Sequence, residues 1–222
     1  MVSVAEFQNN AYEVSVEQGT SVPVEVVNGK HHRLRKNNYF SHQQTAGRFQ
    51  GIKGIKIIDG NDTVYLPYYQ SQIASVQMPT AGPDFFVTDN LSGCAMYIGT
   101  RPGGDLVVFH ANSQLGSSKT QMSGKLPSYQ STGAVQELDQ LARDGRANHN
   151  NPGLGAVTIV RVLSKAEYLG NVDQLTTNGD NFLGGTTVAG FRTGTNWEFW
   201  YQNWGSISGA GARLLRARRF YP

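Results

Sequence analysis

The sequence predicts an α+β domain: a β-sandwich of mixed sheets with helices and loops at its periphery. Charged residues make up 16% of the 222 residues, well below the average share of about 25%. The chain also contains 26 glycines, more than the average share of about 7% would give. Both features favour strands and turns over long surface helices. A chain of this length can bury a substantial core, and we expect a single domain over residues 1–222 that is a monomer.

Strands are predicted where β-branched and aromatic residues alternate with polar ones between turn residues. The segments that fit this pattern are residues 13–17, 22–27, 55–58, 63–66, 157–162 and 198–201. A hairpin is predicted where residues 95–99 and 105–109 flank a turn that contains Pro102, Gly103 and Gly104.

Helical patterns are few. The apolar residues of segment 135–143 fall on one helical face, and segment 165–169 predicts a second, shorter helix. The basic segment 213–219 is a third candidate, with Leu214 and Leu215 packed inward.

Several classes of protein are not expected. Residues 1–8 have neither a basic start nor an apolar core, so a Sec signal peptide is not predicted. No segment approaches the length of about 20 apolar residues that a membrane span needs. Because Cys94 is the only cysteine, no internal disulfide can form and the fold must be stable in a reducing cytosol.

Nucleic acid, metal and cofactor binding are not expected either. Segments 30–36 and 213–219 are basic, but the net charge is only +3 and no recognition motif accompanies them, so each is interpreted as a solvated face or a docking patch for an acidic protein. His31 and His32 have no further ligand at metal-binding spacing. The glycine-rich segment 179–185 lacks the Lys-Ser/Thr of a phosphate-binding loop.

The sharpest functional hypothesis is a Cys/His nucleophile. Cys94 ends a Leu-Ser-Gly-Cys segment just before the predicted hairpin, and His110 follows its second strand. Antiparallel pairing would bring the two residues to the same end of the hairpin. An imidazole beside a thiol can generate the attacking thiolate and then protonate the leaving group. The alternative is an inert cysteine in a hydrophobic core.

Several tracts resemble the Burkholderia lethal factor group of toxins. They are residues 64–70, 73–77, 85–94, 187–194 and 197–202, within a region of about residues 60–204. These toxins belong with the catalytic domains of the cytotoxic necrotizing factors, whose shared mark is the Leu-Ser-Gly-Cys segment and a downstream histidine. The resemblance implies the same sandwich fold and the deamidation of a glutamine in a host protein.

The implied reaction assigns roles to the residues around the nucleophile. Cys94 attacks the glutamine carboxamide, and His110, as imidazolium, protonates the departing ammonia and then activates water. Backbone N–H groups, that of Cys94 foremost, hold the oxyanion with help from Ser92. Gly93 lets the substrate backbone approach the thiol.

A third residue should orient His110 through its other ring nitrogen. The lethal factor has a threonine six residues before its nucleophile, and Thr88 occupies that position here. Asp89, Asn112 or a backbone carbonyl are the alternatives.

The resemblance also implies a partner and a location. It suggests a toxin or effector that acts in the host cell cytosol on a host protein resembling either a translation-initiation RNA helicase or a Rho-type GTPase. A cysteine peptidase or a transglutaminase with the same dyad, and a non-catalytic binding module with a buried Cys94, remain the other interpretations.

Overall fold

The computed structural model describes residues 1–28, 31–35, 38–69, 73–91, 94–111, 157–164, 167–168, 183–206 and 211–222. Strands dominate this part of the chain, and a short helix precedes the first of them. The elements are α1 (Val4–Asn9), β1 (Ala11–Val16), β2 (Val24–Asn28), β3 (His31–Leu34), β4 (Phe40–Ala46), β5 (Ile52–Asp59), β6 (Thr63–Leu66), β7 (Ile73–Gln77), β8 (Phe85–Thr88), β9 (Ala95–Thr100), β10 (Leu106–Ala111), β11 (Thr158–Leu163), β12 (Leu183–Thr193), β13 (Asn196–Ser206) and β14 (Ala212–Tyr221).

The strands form two mixed sheets. The eight-stranded sheet has the order β1-β5-β4-β6-β8-β12-β13-β14, and the six-stranded sheet has the order β11-β9-β10-β7-β3-β2. The pairs β1–β5, β6–β8 and β3–β7 are parallel. All other neighbours in the described part are antiparallel. The prediction of mixed, strand-dominated sheets is therefore confirmed.

Side chains from both sheets build one hydrophobic core. The eight-stranded sheet contributes buried residues such as Ile55, Ile57 and Phe86, and the six-stranded sheet contributes Met96, Ile98 and Val108. Alternation along a strand decides which residues take part, because successive side chains point to opposite faces. Burying each such side chain stabilises the fold by about 1.5–3 kcal/mol. Tyr97 and Phe109, on the other face of the six-stranded sheet, belong to a second cluster.

All six predicted strands outside the hairpin are confirmed, as β1, β2, β5, β6, β11 and β13. The hairpin is confirmed as β9 and β10, with positive φ at Gly103 and Gly104 in its turn. The predicted helix at 135–143 lies outside the described residues. Within 165–169, only Glu167 and Tyr168 are described, and both are helical.

The predicted helix over residues 213–219 is wrong, because this segment lies within β14 at the edge of the eight-stranded sheet. Its backbone pairs with the long strand β13, where Arg216 lies opposite Asn203. The edge of β13 offers a hydrogen-bond partner along nearly the whole segment. Hydrogen bonding to a neighbouring strand overrides a weak local preference for helix.

Helix α1 was not predicted. Ser3 and Glu6 form a capping box in which the Glu6 N–H donates to Ser3 Oγ and the Ser3 N–H donates to Glu6 Oε2. This reciprocal pair satisfies two backbone donors at the start of the helix. Gln202 of β13 then anchors the end of the helix: its Nε2 donates to Phe7 O at 2.9 Å, and its Oε1 accepts from the Tyr12 N–H at 2.6 Å.

Candidate active site

Cys94 and His110 lie at the same end of the β9–β10 hairpin. Cys94 immediately precedes β9, and His110 is paired with Met96 of that strand. Cys94 is two residues before Met96, so the Cys94 and His110 side chains belong to the same face of the six-stranded sheet and are diagonal neighbours. That face points into the core between the sheets, and both side chains are buried.

His110 is hydrogen-bonded to Thr88, which lies on the other sheet. Thr88 ends β8 of the eight-stranded sheet, and its Oγ1 lies 2.7 Å from His110 Nδ1. The Thr88 hydroxyl also donates to Leu66 O at 2.6 Å. A hydroxyl has one proton and a carbonyl can only accept. Because that proton goes to Leu66, Thr88 accepts from His110, and Nδ1 of His110 carries the ring proton.

This arrangement leaves Nε2 of His110 as the unprotonated nitrogen of the neutral ring. Nε2 is buried and has no hydrogen-bond partner among the described residues. Burial lowers the pKa of His110 to about 3, since the charged form loses its hydration and no carboxylate among the described residues compensates. At neutral pH the site therefore holds a neutral imidazole with a proton-accepting nitrogen on the face that it shares with Cys94.

The Leu66 carbonyl that completes this chain of hydrogen bonds is itself held in place by Asp89. The Asp89 N–H donates to Leu66 O, and the Asp89 carboxylate accepts from the Tyr65 hydroxyl and from the Tyr68 N–H, both at 2.7 Å. Burial raises the pKa of Asp89, while these two donors oppose the shift. Of the groups expected to orient His110, only Thr88 contacts it among the described residues. The Leu66 carbonyl accepts from Thr88, and Asp89 donates to that carbonyl.

Tyr68 extends this support to the edge of the site. Its ring centroid lies 5.8 Å from that of His110, and its side chain is exposed whereas His110 is not. Tyr68 is therefore one of the residues between the imidazole and solvent.

Tyr168 fixes the peptide that carries the thiol. Its hydroxyl donates to the Cys94 carbonyl at 2.9 Å, and both residues are buried. The Tyr168 carbonyl accepts from Arg216 Nη2 at 2.6 Å, and the same guanidinium binds Asn203 Oδ1. The edge of the eight-stranded sheet therefore holds the backbone of Cys94 through Tyr168. Sequence reasoning missed this residue, since nothing local marks a tyrosine whose partner is 74 residues away.

The structure does not describe three of the candidate residues, namely Ser92, Gly93 and Asn112.

His32 belongs to the face that carries His110, because it pairs with Ala74 and Ala74 pairs with His110. Its ring stacks on Tyr69 with a centroid distance of 4.2 Å. No trio of His, Cys, Asp or Glu residues in the described ranges is arranged to hold a metal ion.

The helices of the described segments are too short or too polar to cross a lipid bilayer. The sequence matches no protein-family model, and no curated protein shows significant similarity to it.

Proposed function

We propose that this chain is a protein-glutamine deamidase that converts a glutamine of a host protein to glutamate through a Cys94 thioester. One observation carries the proposal: the Thr88–His110 hydrogen bond fixes the ring proton on Nδ1 and leaves Nε2 as a base on the face that Cys94 shares. A cysteine hydrolase needs this tautomer, because the same nitrogen must take a proton from the thiol and return it to the leaving group.

The first half-reaction releases ammonia. Nε2 of His110 accepts the Cys94 thiol proton as the sulfur attacks the carboxamide carbon, and the backbone N–H of Cys94 holds the resulting oxyanion. The protonated ring then donates that proton to the amide nitrogen. The C–N bond breaks, ammonia departs and a thioester remains.

The second half-reaction hydrolyses the thioester. Nε2 accepts a proton from water while the water oxygen attacks the thioester carbon. The C–S bond breaks, the sulfur regains the proton from His110, and the product is a glutamate side chain. No oxidant, reductant or metal is required.

The neutral Thr88–Leu66 chain gives this histidine a particular character. An aspartate partner would stabilise the imidazolium by charge, whereas a hydroxyl offers only a hydrogen bond. Because burial lowers the pKa of His110 to about 3, the imidazolium that forms during the reaction needs further stabilisation. The oxyanion that forms beside the ring compensates for the missing carboxylate during the reaction.

The proposed substrate class and the proposed fold family both rest on the resemblance to the lethal factor group and the necrotizing factors. The tract at 64–70 that carries part of this resemblance contains Leu66 and Tyr68, and the tract at 85–94 contains Thr88 and Cys94. The tracts that carry the resemblance thus contain residues that build the site. A host protein resembling an RNA helicase of translation initiation or a Rho-type GTPase is the proposed substrate.

The test is proteome-wide mass spectrometry of eukaryotic lysate in H₂¹⁸O, treated with the wild-type chain or with Cys94→Ser. We expect one glutamine to become a glutamate that contains a single ¹⁸O atom, only with the wild-type chain. His42→Gln is the matched control, since His42 is a buried histidine on the other sheet and should be dispensable for turnover.

New chain termini would instead identify a peptidase, and amine adducts on glutamine would identify a transglutaminase. Unchanged glutamines in every condition, with both proteins folded, would favour a non-catalytic module. Equal conversion by Cys94→Ser would exclude the thioester.

A further inference from the structure

We propose that His32 is a substrate-positioning residue that hydrogen-bonds the main-chain peptide group next to the glutamine that Cys94 attacks. This inference rests on the proposed deamidase reaction and adds to it a means by which the substrate is held. The reaction itself gives His32 no role.

His32 and His110 lie in one row across the six-stranded sheet. His32 of β3 pairs with Ala74 of β7, and Ala74 pairs with His110 of β10. Paired residues present their side chains on the same face of a sheet, and this is the face that Cys94 shares. Neighbouring strands are about 4.8 Å apart, so the backbones of the two histidines are separated by about 10 Å. Ala74 contributes only a methyl group between the two rings.

Two consecutive tyrosines lie against the two histidines. Tyr69 stacks on His32 with a centroid distance of 4.2 Å and an angle of 15° between the ring planes. The centroid of the Tyr68 ring lies 5.8 Å from that of His110. Tyr68 is exposed and Tyr69 is partly exposed. The Tyr68–Tyr69 segment therefore extends from both imidazole rings to the protein surface.

The ring nitrogens of His32 are unsatisfied. Nδ1 and Nε2 are both buried, and neither has a hydrogen-bond partner among the described residues, although the residue as a whole is partly exposed. A neutral imidazole offers one N–H donor and one acceptor nitrogen. Buried polar groups in folded proteins are nearly always paired. An unpaired donor and an unpaired acceptor on one ring therefore indicate a partner that arrives with a ligand.

A peptide group supplies the complementary pair, because its carbonyl oxygen accepts a hydrogen bond and its N–H donates one. Three C–C bonds separate the carboxamide carbon of glutamine from its Cα, so the adjoining peptide groups lie about 5 Å from the attacked carbon. When the carboxamide is held at Cys94 and His110, the main chain beside it comes within reach of His32. Stacking on Tyr69 orients the imidazole and leaves its edge, which carries the nitrogens, for this contact.

Alkylation of Cys94 tests the inference without a known host protein. The probe is the chloromethyl ketone analogue of acetyl-glutamine methylamide, in which CH₂Cl replaces the carboxamide NH₂. The sulfur displaces chloride, a C–S bond forms, and the thiol proton passes to His110. Chloroacetone has the same reactive group but no peptide group. Second-order rate constants for both reagents, measured by intact mass and mapped to Cys94, separate main-chain recognition from thiol reactivity.

We expect wild-type Cys94 to react at least about tenfold faster with the peptide analogue than with chloroacetone. His32→Phe keeps a ring that can stack on Tyr69 but has no nitrogen. It should slow the peptide analogue alone by about tenfold, the value of one or two net hydrogen bonds. His32→Asn retains a donor and an acceptor and should keep part of the preference. Gln77→Leu, on the opposite face of the same sheet, should leave both rate constants unchanged.

Thermal unfolding gives a second measurement. His32→Phe removes two buried unpaired nitrogens, so the variant should melt at the same or a higher temperature than the wild-type chain. A purely structural histidine would instead lower the melting temperature when replaced and slow both reagents together.

Three results would overturn the role of His32 and leave the deamidase proposal standing. They are no preference of the wild-type chain for the peptide analogue, an unchanged preference in His32→Phe, and an equal slowing of both reagents in that variant. Equal chloroacetone reactivity of the wild-type chain and His110→Gln is a different failure. Cys94 is then not activated, and the deamidase proposal falls together with the role of His32.

Discussion

Thr88 and His110 are hydrogen-bonded across the interface between the two sheets, with 2.7 Å between Oγ1 and Nδ1. The proposed catalytic base is therefore aligned by the sheet to which it does not belong. Its tautomer depends on a proton that Thr88 gives to Leu66 on the neighbouring strand β6. The packing of one sheet on the other therefore also sets the orientation of the imidazole.

Thr88→Val should lower both kcat and stability. The substitution keeps the shape of the side chain but removes two buried hydrogen bonds. The His110 Nδ1–H loses its acceptor, and Leu66 O keeps only the Asp89 N–H as a donor. The expected loss of stability is about 1–3 kcal/mol, and kcat should fall by part of the roughly 10²–10⁴-fold that acid–base catalysis provides. Denaturant unfolding and steady-state deamidation measure the two effects, and Thr88→Ser should restore both.

Thr63→Val is the matched control for this substitution. Thr63 Oγ1 lies 2.7 Å from Nδ1 of His42 and donates to Asp62, so a similar pair exists within the eight-stranded sheet. Its loss should reduce stability but leave kcat unchanged. If Thr88→Val and Thr63→Val reduce kcat equally, Thr88 has only a structural role.

Tyr168→Phe should reduce kcat about tenfold or less and lower the free energy of unfolding by about 0.5–1.5 kcal/mol, because the Cys94 carbonyl loses its hydroxyl donor. Tyr12→Phe is a suitable control. The Tyr12 hydroxyl is buried without a hydrogen-bond partner among the described residues, so its removal should be neutral or stabilising. Unchanged kinetics in Tyr168→Phe would show that the thiol position does not depend on this bond.

Acid should destabilise the protein through His110. Burial lowers its pKa from the ordinary 6.5 to about 3, so between these pH values the unfolded chain binds a proton that the folded protein does not. Stability should fall as pH decreases through this range, by at most about 1.4 kcal/mol per pH unit from this residue. Urea unfolding of wild type and His110→Gln between pH 7 and 4 measures the difference. Parallel pH profiles would mean that His110 does not remain neutral.

Asp89→Asn should cost stability and a modest part of kcat. The carboxylate accepts from Tyr65 and Tyr68 and thereby holds the strand end that presents Leu66 O. An amide can accept one of these bonds but weakens the other, so a loss of about 1–3 kcal/mol is expected. Asp105→Asn, which alters an exposed bond to Gln77, should change little. A loss of kcat as large as that in His110→Ala would contradict the supporting role of Asp89.

The sequence predicted local features better than distant pairings. The hairpin that places Cys94 and His110 at one end could be predicted because its strands alternate and Gly103 and Gly104 supply the positive φ of the turn. Thr88 could be named only through the resemblance, since no local pattern places it opposite His110. The capping box of Ser3 and Glu6 was a readable signal for α1 that was overlooked.

Strand β14 was missed for a different reason. Arg213, Arg216, Arg218 and Arg219 give it a pattern that suits an exposed helix as well as an edge strand, and only the pairing with β13 decides between them. Tyr168 is a similar case, because its role comes from the carbonyl of a residue far away in sequence. Such contacts form only when the sheets assemble, and no periodic pattern in the sequence predicts them.

The contacts of Gln202 constrain when the N-terminal elements can reach their final positions during translation. The Gln202 amide binds Tyr12 and Phe7 across 190 and 195 residues of chain, so this early segment is anchored by a residue that is synthesised much later. Contacts of such sequence separation form slowly. Helix α1 and strand β1 must therefore wait, incompletely anchored, until translation has passed β13.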